Sequence, residues 1–247
     1  MGSAGHATKA QKHTIDNMKY EFLLFDADNT LLDFDENERQ SILKTFTNFG
    51  IPCTDSTISM YHEINIMYWD MLAQGKIKRD DLLVKRFETL FERVGITADA
   101  VETENFYRNQ LGQGSQLIDG AIDLLKSLRS NYKLYIITNG VAETQHLRLE
   151  KSGIAALMDG VFISDEIGYN KPAPQFFEYV SKSIPNFDRT KALVVGDGVL
   201  SDIKGGIDFG IDTCWLDIYG RGTPDKSGEI RPTYTIRKIT DLPSILV

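Results

Sequence analysis

The stretch Tyr20-Glu21-Phe22-Leu23-Leu24-Phe25-Asp26-Ala27-Asp28-Asn29-Thr30-Leu31-Leu32-Asp33 decides the fold. Its first six residues are a short, mostly apolar run that stops abruptly at a carboxylate. A strand that is apolar on consecutive positions is buried on both faces, as happens in a parallel sheet covered by helices on both sides. Four further runs have the same character: Lys133 to Thr138 (KLYIIT), Val161 to Ser164 (VFIS), Ala192 to Gly196 (ALVVG) and Asp212 to Leu216 (DTCWL). Thr233 to Arg237 is expected to add a strand at an edge.

Helical patterns separate these runs. Ile122, Leu125 and Leu128 share a face. Thr144 to Lys151 stops at Gly153, a natural residue just past a helix end. Phe176, Phe177 and Val180 mark another helix, and Ile203, Ile207 and Phe209 the next, closed by Gly210. Strands alternating with helices over this length predict right-handed βαβ units and a doubly wound, mainly parallel α/β sheet.

One segment breaks the alternation. From about Asp35 to Leu111 only helical periodicity is present. Ile42, Leu43, Phe46 and Phe49 form one stripe. Ile58, Tyr61, Ile64 and Tyr68 form a second, with Asp55 or Ser56 as its cap. Leu83, Phe87, Leu90 and Val94 form a third, closed by Gly95, and a weaker fourth runs through Val101 and Phe106. The expectation is an inserted α-helical cap at residues 33–116, hinged at Leu32 to Glu36 and at Gly112 to Leu117, with Gly112 and Gly114 supplying freedom to move. The α/β core then comprises residues 19–32 and 117–247, and residues 1–18 a disordered leader or tag, with Met18 as a candidate natural start.

Composition narrows the function. The chain has 247 residues, 42% hydrophobic and 25% charged, as in an ordinary globular protein. A net charge of −8 repels polyanions, so nucleic acid is not expected as a partner, and a phosphorylated metabolite needs local cations. Cys53 and Cys214 stand far apart in no zinc-binding pattern, which fits a reducing cytoplasm. No run approaches the roughly 18 apolar residues of a membrane span, and the first seventeen residues lack the apolar region of a secretory signal. Oligomeric state is left open.

Ligands of open α/β sheets bind beyond the carboxyl ends of the strands. There the sequence places Asp26 and Asp28 after the first strand, Thr138-Asn139-Gly140 after the second, and Gly196-Asp197 through Asp202 after the fourth. Asn170-Lys171-Pro172 lies between the third and fourth. Clustered carboxylates repel one another unless a cation joins them. A hard divalent ion such as magnesium does so, and it offsets a phosphate dianion as well. Lys171 adds a fixed positive charge, and Thr138 with the N–H groups of Asn139 and Gly140 can bind phosphate oxygens. No Ser/His or Cys/His pair competes, so a carboxylate nucleophile is the economical reading.

These residues, Asp26-x-Asp28-x-Thr30, Thr138, Lys171-Pro172 and Gly196-Asp197 with Asp202, resemble in order the four motifs of the haloacid dehalogenase-like (HAD) superfamily, over Lys19 to Val247. The resemblance implies that Asp26 is the nucleophile and forms an aspartyl-phosphate, while Asp28 protonates the leaving oxygen and then activates water. It implies that Thr138 and Lys171 hold the phosphoryl group. Magnesium would be bound by Asp26, the backbone carbonyl of Asp28 and Asp197, with Asp202 as an additional or outer ligand. Dehalogenase members lack the second aspartate, so Asp28 argues against that branch. Asp26 to Asp33, Ile137-Thr138-Asn139-Gly140 and the length of the cap look most like bacterial pyrimidine 5′-nucleotidases of the house-cleaning type. The expected substrate is accordingly a small phosphomonoester, a nucleoside 5′-monophosphate before a sugar phosphate, phosphoglycolate or an acylneuraminate phosphate. A catalytically idle binding module is the rival from another class, and it would have no need of Asp28.

Other features read differently. Gly196-x-Gly198-x-x-Ser201 with Asp217 mimics a dinucleotide fingerprint, but its third position is Ser and its turn is acidic, which opposes a pyrophosphate. His62 and His146 read as surface or packing residues. Tyr61, Tyr68, Trp69 and Tyr107 are either bundle core or an aromatic face for a base.

Overall fold

The computed structural model describes residues 18–224 and 227–246; the expected leader, apart from Met18, lies outside them. The six apolar runs form strands β1 (Phe22–Phe25), β2 (Lys133–Thr138), β3 (Gly160–Ile163), β4 (Ala192–Gly196), β5 (Asp212–Leu216) and β6 (Tyr234–Ile236). They make one sheet in the order β3-β2-β1-β4-β5-β6, parallel at every pairing. Because side chains alternate across a strand, Leu23, Phe25, Leu134, Ile136, Leu193 and Val195 enter one apolar cluster. Phe22, Leu24, Tyr135, Ile137, Ala192 and Val194 enter the other. Helices cover both faces, which is why these strands carry no polar alternation.

The helices before β2 are α1 (Phe34–Phe49), α2 (Asp55–Ala73), α3 (Arg79–Val94), α4 (Ala100–Gln113) and α5 (Ala121–Leu128). Those after it are α6 (Ala142–Ser152), the single turn α7 (Ser164–Ile167), α8 (Pro174–Ser183) and α9 (Lys204–Phe209). Helices α1 to α4 share a core of their own, with Ile42, Phe46, Tyr61, Phe87, Leu90 and Tyr107 at its centre. The two connections to it run side by side: Leu32 bridges Leu117, and the Asp33 amide donates to the Gln116 carbonyl at 3.0 Å. No helix among the described residues is long and apolar enough to cross a membrane. Cys53 is exposed and Cys214 buried, and neither is in a disulfide.

Local expectations fail in four places, each for a physical reason. The N-cap of α2 is Thr54, whose hydroxyl accepts from the Thr57 amide, rather than Asp55 or Ser56. Val101 is exposed, because α4 turns Thr103, Glu104, Tyr107 and Leu111 inward. Ile207 is also exposed; α9 instead presents Gly205 and Gly206 to the core. Neither Gly112 nor Gly114 takes a backbone angle that only glycine allows. Gly112 lies inside α4, and Gly114 has an ordinary φ of −79°. Space is the reason for Gly114: a Cβ there would sit 1.8 Å from Asn37 Oδ1.

Gly205 ties the fold to the site loops. A Cβ at this position would lie 2.6 Å from Cε2 of Phe177 and 3.1 Å from Cα of Pro172. Overfilling a packed contact costs about 1–3 kcal/mol, so Gly205→Ala is expected to lower the free energy of urea unfolding by that amount. An unchanged midpoint would show that the helix–loop contact has slack.

Candidate active site

The strand order reverses around β1, which pairs with β2 on one side and β4 on the other. Chain crossings diverge there and leave a crevice at the carboxyl ends. Asp26 follows β1 directly, its amide donating to Val195 O at 2.8 Å. The backbone then folds over Ala27, whose carbonyl accepts from Leu31 and Leu32. Asn29 takes a left-handed φ of 55°, tolerable for Asn, and its side chain accepts from the amides of Phe34 and Asp35 at the start of α1. Thr138 ends β2, Asp197 follows β4, and Asp202 lies in a π-type turn, Val199–Ile203, before α9.

Lys171 joins these elements. Its ammonium donates to Asp26 Oδ1 at 2.6 Å, Asp202 Oδ1 at 2.5 Å and Ile137 O at 2.7 Å, using all three hydrogens. Lys171 and Asp202 are each 1% exposed. Burial pulls the lysine pKa down, but the Asp202 and Asp26 carboxylates overcome it and hold the group charged. Negative charge still predominates. Burial chiefly pushes Asp26 up to about 7, with Lys171 opposing and Asp202 and Asp28 adding to the rise. Asp197 is raised well above the usual carboxylate range, by burial first and then by Asp26 and Asp202.

Asp28 stands apart from this cluster, gripped by two residues of α6. Arg148 Nη1 donates to Asp28 Oδ1 at 2.5 Å, and Gln145 Nε2 donates to Oδ2 at 2.8 Å. Gln145 also donates to the Thr138 hydroxyl, as does the Gly140 amide at 3.1 Å. The hydroxyl therefore accepts twice, and its own proton has no acceptor among the described residues. Asn139 is committed elsewhere: its side chain donates to Lys171 O at 2.9 Å and accepts from Lys171 N at 2.8 Å. It braces the lysine loop against the end of β2. Arg148 and Gln145 escape sequence reading because two polar residues on a helix look solvated; both are buried.

A cavity of about 250 Å³ lies over these groups. Asp26, Asp28, Thr138, Asn139, Gly140, Lys171, Asp197 and Asp202 all line it, so the eight residues singled out in the sequence meet in one place. Its opposite wall comes from the inserted helices, with Phe34, Trp69, Leu83 and Leu111 beside a buried Arg86–Glu104 ion pair at 2.6 Å. Of the four aromatic candidates only Trp69 reaches the cavity. Tyr61 and Tyr107 are bundle core, and Tyr68 bonds Thr89. His62 pairs with Glu38 and His146 with Glu166, away from the cavity.

The glycines after β4 make room for a carboxylate rather than a dinucleotide. Cβ atoms at Gly196 and Gly198 would come within 2.4 and 2.7 Å of Asp202 Oδ2, and that oxygen accepts from the Gly198 amide. The N–H that a pyrophosphate would need is already taken.

A hard cation fits the acidic side of the cavity. Oxygens of Asp26, Asp197 and Asp202 lie within 4.8 Å of one another. The Asp197 carboxylate accepts no hydrogen bond from any described residue. Three oxygen donors with surplus negative charge suit magnesium and not zinc.

Known proteins resemble this chain in sequence and in fold. Residues 20–210 match the model of the haloacid dehalogenase-like hydrolases. The protein YfnB of Bacillus subtilis is 40% identical over 92% of this chain and 96% of its own. Its magnesium-bound crystal structure, which reveals interdomain movement, superposes with a TM-score of 0.87 over 92% of this chain and 99% of that one. The pyrimidine 5′-nucleotidase PynA of Streptococcus pneumoniae is 35% identical over 91% of this chain and 94% of its own length. The pyrimidine 5′-nucleotidase YjjG of Escherichia coli is 33% identical, over 93% and 99% respectively. The chain belongs to the haloacid dehalogenase-like hydrolase family.

Proposed function

We propose that this protein hydrolyses small phosphomonoesters, nucleoside 5′-monophosphates foremost, through an aspartyl-phosphate on Asp26. The observation that carries this reading is the contrast between two carboxylates two residues apart. Asp26 is held by a lysine at the floor of the cavity, and Asp28 is held clear of it by Arg148 and Gln145. Such a pair divides nucleophile from acid–base catalyst.

An oxygen of Asp26 attacks phosphorus and forms an acyl-phosphate bond as the ester P–O bond breaks. Asp28 gives its proton to the leaving alkoxide. Asp28, now a carboxylate, takes a proton from water, whose oxygen attacks the same phosphorus; the Asp26–phosphate bond breaks and inorganic phosphate leaves. Thr138 donates its free hydroxyl proton to a phosphoryl oxygen. In this arrangement Gly140 N–H and Lys171 already have partners, so their contact with phosphate requires exchange of those bonds. Magnesium would be held by Asp26, Asp197 and Asp202 with the Asp28 carbonyl, and when bound supplies positive charge against the phosphate.

Nothing on the core side distinguishes a nucleoside from a sugar. We assign that choice to residues 33–116 acting as a cap, whose Trp69 offers a flat apolar face. Two relatives named as pyrimidine 5′-nucleotidases support a pyrimidine nucleotide as the ester, and a cytoplasmic site of action goes with it.

Asp26→Asn is expected to reduce turnover by about 10⁴-fold or more with the fold intact. Asp28→Asn should cost about 10²–10⁴-fold on a nucleotide but less on p-nitrophenyl phosphate, whose leaving group barely needs a proton. Single-turnover phosphorylation measures this directly. Equal losses on both substrates would remove Asp28 from the acid role.

Comparing kcat/KM for UMP, dTMP and ribose 5-phosphate tests the substrate. The nucleotides are expected to be preferred, and Trp69→Ala to narrow that preference roughly tenfold. Preference for the sugar phosphate would reject the nucleotidase reading; an unchanged ratio would reject Trp69.

A further inference from the structure

Arg79 is the first residue of α3, and nothing about the helix explains an arginine there. A cation in the first turn opposes the helix dipole, and Lys78 before it makes no side-chain cap. The explanation lies in its partners on the α/β core. Arg79 Nη1 donates to Asp165 Oδ1 at 2.8 Å, and Nη2 donates to Asn139 O at 3.1 Å. Nη2 also contacts Ser164 Oγ and Asn170 Oδ1. The Arg79 side chain is 10% exposed. Among the described residues it is the only lysine or arginine of α1 to α4 that bonds outside those helices.

Its partners are neighbours of the phosphate-site residues. Asn139 follows Thr138, and its side chain clamps the Lys171 backbone through two hydrogen bonds. Asn170 precedes Lys171. Asp165 accepts from the Ala142 amide at 3.0 Å and so fixes the start of α6, the helix that carries Gln145 and Arg148 to Asp28. One guanidinium, presented by the inserted helices, thus braces the loops of Thr138 and Lys171 and the helix behind Asp28. If those helices swing away, the brace leaves with them.

We propose that Arg79 is a positioning residue that couples closure of the helical insertion to assembly of the phosphate site. It touches neither Asp26 nor Asp28, and it acts through Asn139, Asn170 and Asp165. The proposal rests on the phosphoryl-transfer reading of Thr138 and Lys171 and adds to it the condition under which they are set.

The test uses the full chain with saturating magnesium, comparing Arg79→Met, Arg79→Lys, Asp165→Asn and the Arg79→Met/Asp165→Asn double variant. Arg79→Met is expected to lower kcat/KM at least tenfold for p-nitrophenyl phosphate and for UMP alike, and to weaken inhibition by inorganic phosphate at least fivefold. Arg79→Lys should fall between it and the native protein. The double variant should be no worse than Arg79→Met, since both changes remove the same brace. Hydrogen exchange should quicken at least tenfold at Asn139 to Ala142 and at Lys171, and stay unchanged at Leu24, Ile136 and Val194. A merely structural residue would loosen those strands as well, so uniform loss of protection would overturn the proposal. So would kcat/KM and phosphate inhibition within twofold of native in Arg79→Met, or in Arg79→Lys should the methionine variant not fold. A loss confined to UMP would also overturn it, making Arg79 a contact for the leaving group. If Asp26→Asn in parallel retained full turnover, the phosphoryl-transfer reading itself would fall, whatever Arg79 did.

Discussion

A buried ammonium with every hydrogen committed governs this molecule. Lys171 binds Asp26, Asp202 and the Ile137 carbonyl at the buried floor of the cavity. Removing one partner from such a group leaves an uncompensated charge, which is far more costly than the pair itself is favourable. Three segments distant in sequence, β1, β2 and the turn before α9, are therefore bound to a common geometry. Yet the balance is incomplete. Asp197 adds a third carboxylate within reach of the other two and, among the described residues, it accepts no hydrogen bond, so the site holds surplus negative charge. That surplus opposes folding when no cation is present and would be offset by the divalent cation proposed above.

The second constraint is the division between core and insertion. The core lines the cavity with carboxylates, Lys171 and Thr138, while the wall formed by α1 to α4 adds Trp69, Leu83 and Leu111. The seam includes the paired connections at Leu32 and Leu117, the Arg79 bridge, and Lys151, which donates to Gly112 O and Gln113 Oε1. Gly114 shows how close the seam is, since no side chain fits there beside Asn37.

The sheet and the floor of the site were legible because the central strands are mostly apolar runs, and three of them, β1, β2 and β4, run into polar residues at their carboxyl ends. Asp26, Thr138 and Asp197 stand where a buried strand meets solvent, and that abrupt change is visible in a single sequence. The remaining details depend on contacts with no local signature. Arg148 and Gln145 look like solvated helix residues until Asp28 is placed against them. In α4 the inward face carries Thr103 and Glu104, so hydropathy chose Val101, which points outward. Tyr61 and Trp69 share a helix, but only the bundle geometry decides that one is core and the other wall.

We propose that Lys171 and a divalent cation together balance the three carboxylates. This balance is tested most directly by urea unfolding of the native protein, Lys171→Met and Asp197→Asn, each in chelator and with magnesium. In chelator, Lys171→Met should lose about 3–5 kcal/mol, because Asp202 is left buried without its cation. Asp197→Asn should be more stable than native, because repulsion is relieved. Magnesium at a hundred times its dissociation constant should stabilise the native protein by about 2.7 kcal/mol and leave Asp197→Asn nearly unmoved. A Lys171→Met protein as stable as native, or an Asp197→Asn protein less stable than native in chelator, would contradict this account of the site.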